Sequence, residues 1–488
     1  MGKLGSLAKD TAIYGLSSIV GRFLNYLLVP LYTHVIAASS GGYGVVTNLY
    51  AYTALILVIL TFGMETTFFR FANKEDENPD TVFSTTMGMV GALTAVFLAG
   101  VFIFIGPLSN ALGYADHQSY ILMMAAVVGL DAIQAIPFSF LRYKKRPIKF
   151  AALKLLFIIM NIGLNLLYFV VLGKDDVFYV FSLNLVCTSL ITFFFIPELM
   201  SIRWKFDIAL LKRMFSYSWP ILVLGIAGIL NQAFDKMVFP WAYTHSGMHT
   251  MAEANVQLGI YGACVKVAMI MAMITQAFRY AYEPIVFAKA KDKNSKEYYA
   301  VAMKFFLIFT LFAFLCVMGY LDILKHIVKS DYHEGLATIP IVMAAEIMMG
   351  VYFNLSFWYK LNKQTWWGAI FSTIGVAALL AINFIFVPKY GFMACAWGGF
   401  AGYGICMILS YIVGQIKNPV PYKLPAIFGY FAFALLLYYL SIIFRPNSQA
   451  LVYVVNTVFL LLYIAVILYN ERVLVKRVFS GIKGKLVK

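Results

Sequence analysis

Residues 142–172 read RYKKRPIKFAALKLLFIIMNIGLNLLYFVVL, a basic cluster followed at once by a long apolar run. About 20 apolar residues in a helix cross the roughly 30 Å hydrocarbon core of a bilayer, so this stretch predicts a membrane span that begins beside positive charges. Similar apolar runs recur along the whole chain of 488 residues, of which 62% are hydrophobic and 12% charged. This composition excludes a soluble globular protein and predicts an all-α polytopic membrane protein.

Fourteen apolar spans are predicted, and the positive charges between them alternate. Of the 38 Lys and Arg residues, 27 lie in the odd-numbered tails and loops, five in the even-numbered loops and six within spans. Because positive residues stay on the cytoplasmic side during insertion, both termini are predicted to be cytoplasmic. We call the odd-numbered side inner and the other side outer. The predicted spans are about 11–36, 44–68, 82–106, 118–141, 150–172, 177–197, 214–240, 257–288, 300–320, 336–359, 364–387, 391–413, 424–443 and 450–470.

The loops and motifs exclude several classes of protein. The net charge of +16 is spread over short clusters beside helix ends, which favours anionic lipid headgroups over nucleic acid. No loop is long enough for a soluble domain, and the five cysteines all lie within spans without a CxxC pattern. The sequence has no P-loop, no metal-binding spacing and no paired nucleophile and base. We therefore expect a transporter, neither an enzyme nor a metalloprotein.

Spans 2 and 8 indicate an internal repeat. Without gaps, YGVVTNLYAYTALILVILTFGMETTFF (43–69) aligns with YGACVKVAMIMAMITQAFRYAYEPIVF (261–287). Parallel repeats of this kind are one way in which transporters are built. The identical positions are Tyr43/Tyr261, Gly44/Gly262, Ala54/Ala272, Ile56/Ile274, Glu65/Glu283 and Phe69/Phe287.

These residues also carry a family resemblance. GGYGVVTNLYAYTALILVILTFGMETTFFRF (41–71) resembles the second-span signature of the polysaccharide-transporter (Wzx-like oligosaccharide flippase) branch of the multidrug/oligosaccharidyl-lipid/polysaccharide flippase superfamily. Asn383, Val387-Pro388 and Tyr390-Gly391 resemble the connection between its eleventh and twelfth spans. The span count and short loops match over nearly the whole chain.

The resemblance implies a fold and a substrate. It implies two six-helix lobes in a V around a central cavity, at 1–200 and 201–415, with peripheral spans 13–14 and a basic tail at 416–488. The implied function is to move undecaprenyl-diphosphate-linked oligosaccharide from the inner to the outer leaflet by alternating access, for surface polysaccharide biosynthesis. The expected location is the bacterial cytoplasmic membrane. The expected partners are membrane lipids, a polysaccharide polymerase and chain-length proteins, with no nucleic acid.

Two cations within spans are predicted to bind the substrate. A charge at a helix centre costs roughly 2.5–3.5 kcal/mol on insertion scales and normally faces protein or a wet cavity. Arg22 lies near the middle of span 1, on one polar helix face with Asn25. The resemblance supports Arg22, because lipid II flippases of the superfamily carry cavity arginines on their first span. Lys266 lies nine residues into span 8, and its repeat counterpart is Asn48. Asn25 and Asn48 are predicted to line the substrate cavity together with the two cations.

Four further residues are predicted to form gates or ion pairs. Arg279 and Glu283 are spaced to pair at i,i+4, in a structural or a gating role. Asp235 and Lys236 are adjacent, so their side chains point about 100° apart and need not pair with each other. We expect that second couple to act at an outer gate or to contact the substrate.

Two carboxyl groups lie close to the predicted middle of the membrane. Asp131 in span 4 and Glu346 in span 10 could carry H⁺ or Na⁺, or could neutralise Arg22 or Lys266. No other cofactor is expected. The two remaining cations within spans, Lys154 and Lys304, lie near inner ends and are predicted to extend to the headgroups.

Two alternatives stand beside the oligosaccharide flippase. The first stays in the superfamily, as a lipid II flippase or a drug/Na⁺ antiporter. The second is a membrane enzyme, either a polysaccharide polymerase or an O-antigen ligase. That alternative needs a reactive group at the outer face, which the loops do not offer.

Overall fold

The computed structural model describes residues 26–200, 204–289, 292, 294–362 and 364–472. Within these residues every regular element is a helix, and thirteen helices are long and apolar enough to cross a membrane. The predicted all-α polytopic fold is therefore confirmed. Most of predicted span 1 lies outside the described residues, and the orientation of the termini stays a prediction.

The thirteen helices correspond in order to predicted spans 2 to 14. Shorter helices lie at Leu28–Val35, Ile105–Leu112 and Leu321–Leu324. The spans are Gly42–Ala72, Pro79–Ile103, Ala115–Tyr143, Pro147–Val171, Phe178–Met200, Ile208–Thr244, Met251–Arg279, Ser295–Gly319, Ser330–Leu361, Trp366–Tyr390, Phe392–Lys417, Leu424–Ile443 and Gln449–Asn470. The span 8 helix itself continues to Lys289.

Span 2 is broken near its inner end. Phe62 and Gly63 both have left-handed backbone, with φ of 51° and 67°, and they separate the helices Gly42–Thr61 and Met64–Ala72. Such backbone is costly for a residue with a side chain. The Phe62 ring stacks on Phe215 of span 7, with ring centroids 4.8 Å apart, which helps to hold the break. Glu65 therefore stands in the first turn of a new helix.

The predicted outer loop at 241–256 is wrong, because helices fill most of it. Span 7 continues to Thr244, and span 8 begins at Met251. A reciprocal cap starts span 8: the Thr250 amide donates to Glu253 Oε2 at 2.9 Å, and the Glu253 amide donates to Thr250 Oγ1 at 3.3 Å. This Thr-x-x-Glu capping box is visible in the sequence and stabilises the early start.

The described residues form two compact units. The first comprises those up to Lys266, together with Asp331–Gly335 and Val376–Gly399. The second comprises Val267–Ser330, Leu336–Gly375 and those from Phe400 onward. The division into lobes at 1–200, 201–415 and 416–488 stays a prediction.

In the first unit, the outer ends of spans 2 and 8 cross at very short range. A Cβ atom at Gly44 would overlap the carbonyl oxygen of Asn255, and one at Gly262 would collide with the Thr47 side chain. Gly259 in turn lies against the backbone of Gly44. Small residues allow helix backbones to approach in a membrane. The aligned glycines of the repeat, Gly44 and Gly262, both lie at this crossing.

In the second unit, a buried ion pair attaches the end of span 14 to span 9. Lys304 and Glu471 are 7% and 8% exposed, and Lys304 Nζ lies 2.6 Å from Glu471 Oε1. The Tyr430 hydroxyl of span 13 donates to the same oxygen at 3.2 Å. Lys304 thus has a buried partner, and the prediction that it extends to the headgroups is wrong.

We expect Lys304→Met to lower the free energy of unfolding by about 3 kcal/mol, because it leaves the Glu471 carboxylate buried without its cation. The double variant Lys304→Met/Glu471→Leu should recover most of this loss. Thermal unfolding of the purified protein in detergent measures both. Equal melting temperatures for the single variant and the wild type would contradict a stabilising pair.

Candidate functional site

Two of the predicted substrate residues, Arg22 and Asn25, lie outside the described residues. The others fall into three polar clusters within the spans. Two clusters belong to the first unit, and one belongs to the second.

The first cluster comprises Asp235 and Lys236 of span 7 and Tyr261 and Lys266 of span 8. Lys236 Nζ lies 3.0 Å from both oxygens of Asp235, and the Tyr261 hydroxyl donates to Asp235 Oδ2 at 2.8 Å. The Asp235 and Lys236 side chains therefore do pair, because the long lysine chain reaches back across the helix surface.

Lys266 itself carries a charge that this cluster does not neutralise. It makes no ion pair or hydrogen bond with another described residue, and its ammonium is repelled by that of Lys236. Its side chain is only partly buried. The three charged groups together carry a net charge of +1, which suits the binding of an anion.

Asn48 is buried, with 2% exposure, and both ends of its amide are engaged inside the protein. Its Nδ2 donates to the Lys236 carbonyl at 2.7 Å, and its Oδ1 accepts from the Tyr114 hydroxyl at 2.9 Å. The Lys236 carbonyl needs such a donor because Pro240, one turn later in span 7, has no amide hydrogen. The predicted cavity role of Asn48 stays a prediction, while its observed contacts join spans 2 and 7.

Asn48→Leu should destabilise the protein by about 1–3 kcal/mol, the cost of leaving a buried carbonyl and hydroxyl unpaired. Pro240→Ala restores an amide that can reach the Lys236 carbonyl within the helix. We therefore expect Asn48→Leu to be less damaging in a Pro240→Ala background than in the wild type. The melting temperatures of the wild type, the two single variants and the double variant measure the coupling between Asn48 and Pro240. Strictly additive effects of the two substitutions would contradict it.

The second cluster, around Asp131, brings together spans 2, 4 and 5. Lys154 interacts electrostatically with Asp131, Glu65 and Arg142. Its Nζ lies 3.9 Å from the centre of the Phe138 ring. Lys154 is exposed, so its extension to the headgroups stays a prediction.

Glu65 is already paired within this cluster. Arg142 Nη2 lies 3.2 Å from Glu65 Oε2 and 3.1 Å from Ser139 Oγ. Sequence reasoning misses the pairing of Arg142 with Glu65, because contacts between spans are invisible in a single sequence.

The third cluster is the Arg279–Glu283 couple of the second unit. Arg279 Nε lies 3.5 Å from Glu283 Oε2, and Lys360 Nζ approaches the other oxygen at 3.9 Å. The Phe353 ring lies 4.4 Å from the Arg279 guanidinium and 4.3 Å from the Lys360 ammonium. Glu283 thus sits between two cations that share an aromatic ring. Glu346, which is partly buried in span 10, is engaged with another group.

The described residues contain no group of three or more His, Cys, Asp or Glu side chains that could hold a metal ion. Their side chains within the spans offer ammonium, guanidinium and carboxylate groups. Such an arrangement can bind an anion and exchange small cations.

Residues 39–334 match the family model described as polysaccharide biosynthesis protein. No protein of curated function matches the sequence significantly. Among solved structures, the chain is similar to the lipid II flippase MurJ in an inward closed conformation. That match has a TM-score of 0.75 and 14% identity, and it covers 96% of this chain and 100% of the other.

Two multidrug transporters show the same fold. An inward-facing MATE family transporter of the MOP superfamily gives a TM-score of 0.64 at 13% identity, covering 81% of this chain and 94% of the other. The MATE multidrug transporter DinF-BH gives a TM-score of 0.59 at 14% identity, and that match covers 84% of this chain and 96% of the other. At this identity the structural likeness establishes the fold alone.

The structural neighbours are a lipid II flippase and multidrug transporters. The family match extends over more than half of the chain, and the fold is that of the flippases and multidrug transporters. The chain therefore belongs to the polysaccharide biosynthesis protein family.

Proposed function

We propose that this protein moves an undecaprenyl-diphosphate-linked oligosaccharide from the inner to the outer leaflet of the bacterial cytoplasmic membrane, by alternating access. The family match supports a role in polysaccharide biosynthesis. The observation that carries the substrate class is the Lys266 ammonium, which interacts with Lys236 and forms no ion pair or hydrogen bond with another described residue. A diphosphate carries about two negative charges, and ammonium and guanidinium groups replace its lost hydration.

In this proposal, cationic side chains within the spans bind the diphosphate while the substrate crosses the membrane. Lys266, together with Arg22 of span 1, contacts the diphosphate, while the apolar polyprenyl tail stays in lipid. Coupling to H⁺ or Na⁺ through Asp131 and Glu346 drives the cycle. A polymerase and chain-length proteins then use the outward-facing product.

A deletion strain tests the proposal. Loss of the gene should cause complete lipid-linked repeat units to accumulate on the inner leaflet, with loss of surface polysaccharide, and the wild-type gene should restore both. Repeat units on the outer leaflet of the deletion strain would instead indicate a later step, and the proposal would fail.

A lipid II flippase is the second candidate, because the MurJ match extends over 96% of this chain and 100% of the other. Complementation separates the two. If expression of this gene restores growth to a strain depleted of its lipid II flippase, the second candidate is favoured. No growth, together with restored surface polysaccharide in the deletion strain, would favour the first.

A further inference from the structure

The internal repeat of spans 2 and 8 extends to spans 5 and 11. NLLYFVVLG (165–173) of span 5 aligns without gaps with NFIFVPKYG (383–391) of span 11, and 218 positions separate them, as they separate the aligned stretches of spans 2 and 8. Gly173 and Gly391 end the two stretches. Both have left-handed backbone, with φ of 63° and 54°, so the corresponding helices also end alike.

Spans 1 and 7 correspond in the same way at their outer ends. They share the triplet Tyr-Thr-His, at 32–34 and 243–245. In both copies the threonine hydroxyl donates to the carbonyl four residues earlier, at 2.9 Å in the first and 2.8 Å in the second. Each half of the chain thus has a tyrosine and an asparagine at corresponding positions, which are Tyr32 with Asn165 and Tyr243 with Asn383.

The first couple is joined by a hydrogen bond. The Tyr32 hydroxyl donates to Asn165 Oδ1 at 2.9 Å, and Asn165 Nδ2 donates to the Asn161 carbonyl at 2.7 Å. The Tyr32 ring meets the Phe169 ring edge-on, with centroids 5.8 Å apart. Both ends of the buried Asn165 amide are therefore satisfied.

The second couple is not joined. Asn383 is only 1% exposed, yet neither its Oδ1 nor its Nδ2 has a hydrogen-bond partner among the described residues. The Tyr243 ring stacks on Phe239 and on His249, with centroid distances of 5.3 Å and 4.1 Å. A buried amide without partners costs free energy, so the protein is destabilised at Asn383 in this conformation.

The two tyrosines stand at different heights along the helix that carries the asparagine. Tyr32 contacts Phe169, one turn after Asn165. Tyr243 Cε2 would lie 3.7 Å from a Cβ atom at Gly391, two turns after Asn383. One helical turn is about 5.4 Å long, so Tyr243 stands about one turn too far towards the outer end to reach Asn383.

We propose that Tyr243 and Asn383 form a latch that closes in a second conformation of the transport cycle, an inference that rests on the proposed function. In that conformation span 7 has shifted by about one turn along span 11, and the Tyr243 hydroxyl donates to Asn383 as the Tyr32 hydroxyl donates to Asn165. One-turn shifts of packed helices are a recognised form of switching. The hydrogen bond gained at Asn383 offsets the stacking on His249 that Tyr243 gives up, so both conformations can be populated.

Melting temperatures in detergent and translocation of a fluorescent lipid-linked oligosaccharide in liposomes test the latch. Asn383→Leu keeps the branched shape of the side chain and removes an amide without partners. It should therefore raise the melting temperature by several degrees and slow translocation about tenfold. Tyr243→Phe removes one hydroxyl that is unbonded in this conformation, so it should slow translocation equally and leave the melting temperature unchanged. The double variant should be no slower than either single variant.

Two matched variants serve as controls. Asn165→Leu leaves the buried Tyr32 hydroxyl without its acceptor, so it should lower the melting temperature where Asn383→Leu raises it. Tyr439→Phe removes the hydroxyl of an exposed tyrosine in span 13 and should behave as the wild type in both measurements.

A melting temperature of Asn383→Leu at or below that of the wild type would show that the amide is satisfied in this conformation, and the latch would be overturned. Wild-type translocation by either single variant, or slowing in the double variant that multiplies the two single effects, would also overturn it and leave the proposed function intact. A wild type that moves no lipid-linked oligosaccharide would overturn both.

Discussion

Cells that carry Lys266→Met should lose at least nine-tenths of their surface polysaccharide while the protein accumulates normally in the membrane. Lys266 has no ion pair among the described residues, so its removal breaks no described salt bridge. A charge-assisted hydrogen bond to phosphate contributes about 1.5–3 kcal/mol, which corresponds to roughly a ten- to hundredfold change in binding.

The same measurement has two internal controls. Lys266→Arg keeps the positive charge and should retain most of the polysaccharide, although a guanidinium does not reproduce the shape of an ammonium. Lys205→Met removes a lysine from an exposed loop and should have no effect. If cells with Lys266→Met make as much surface polysaccharide as wild-type cells, the proposed substrate loses its basis.

Arg22 supplies a second test of the same idea, based on the sequence. Arg22→Ala should reduce surface polysaccharide, and the double variant Arg22→Ala/Lys266→Met should abolish it. Wild-type amounts in both single variants and in the double variant would show that neither cation contacts the substrate.

Gly44→Ala should prevent the accumulation of folded protein. The added Cβ atom would overlap the Asn255 carbonyl, and a backbone atom in a packed helix cannot move aside as a flexible side chain can. Spans 2 and 8 would then have to separate along their outer ends, with loss of the contacts around Gly262. The yield of monodisperse protein after detergent extraction, and its melting temperature, measure the effect.

Gly91 provides the matched control for this substitution. It lies within the helix of span 3, and a Cβ atom there would meet nothing within 4 Å. Alanine favours a helix by up to about 1 kcal/mol over glycine, so Gly91→Ala should be neutral or slightly stabilising. Equal yields and melting temperatures for Gly44→Ala and Gly91→Ala would contradict the close crossing.

The spans can be predicted from sequence because membrane insertion depends on local properties. Apolar length and the loop charges fix where a helix crosses, and those quantities are written in consecutive residues. The break at Phe62–Gly63 is not predicted, because it depends on stacking between Phe62 and Phe215 of another span. The Thr250–Glu253 cap is legible in the sequence, although the apolar pattern alone places it in a loop.

Pairings between distant residues cannot be predicted from one sequence. Lys304 and Glu471 are 167 positions apart in the sequence. The predicted depth of Lys154 in the membrane likewise does not reveal its neighbours. Asn48 resembles a cavity residue because it is polar within a span. The structure adds a hydrogen bond that the sequence does not show, because the Lys236 carbonyl to which Asn48 donates is left without a helix partner by Pro240. The hydrogen-bond and ion-pair partners of these side chains are therefore not predictable from one sequence.

Translocation of a lipid-linked oligosaccharide by the purified protein in liposomes tests the central claim most directly. The substrate is a fluorescent oligosaccharide on undecaprenyl diphosphate, placed in both leaflets, and a membrane-impermeant quencher reports the outer pool. With wild-type protein the quenchable fraction should rise from about half towards completion, and with Lys266→Met it should stay near half. Equal quenching in protein-free liposomes and in those with wild-type protein would contradict the claim.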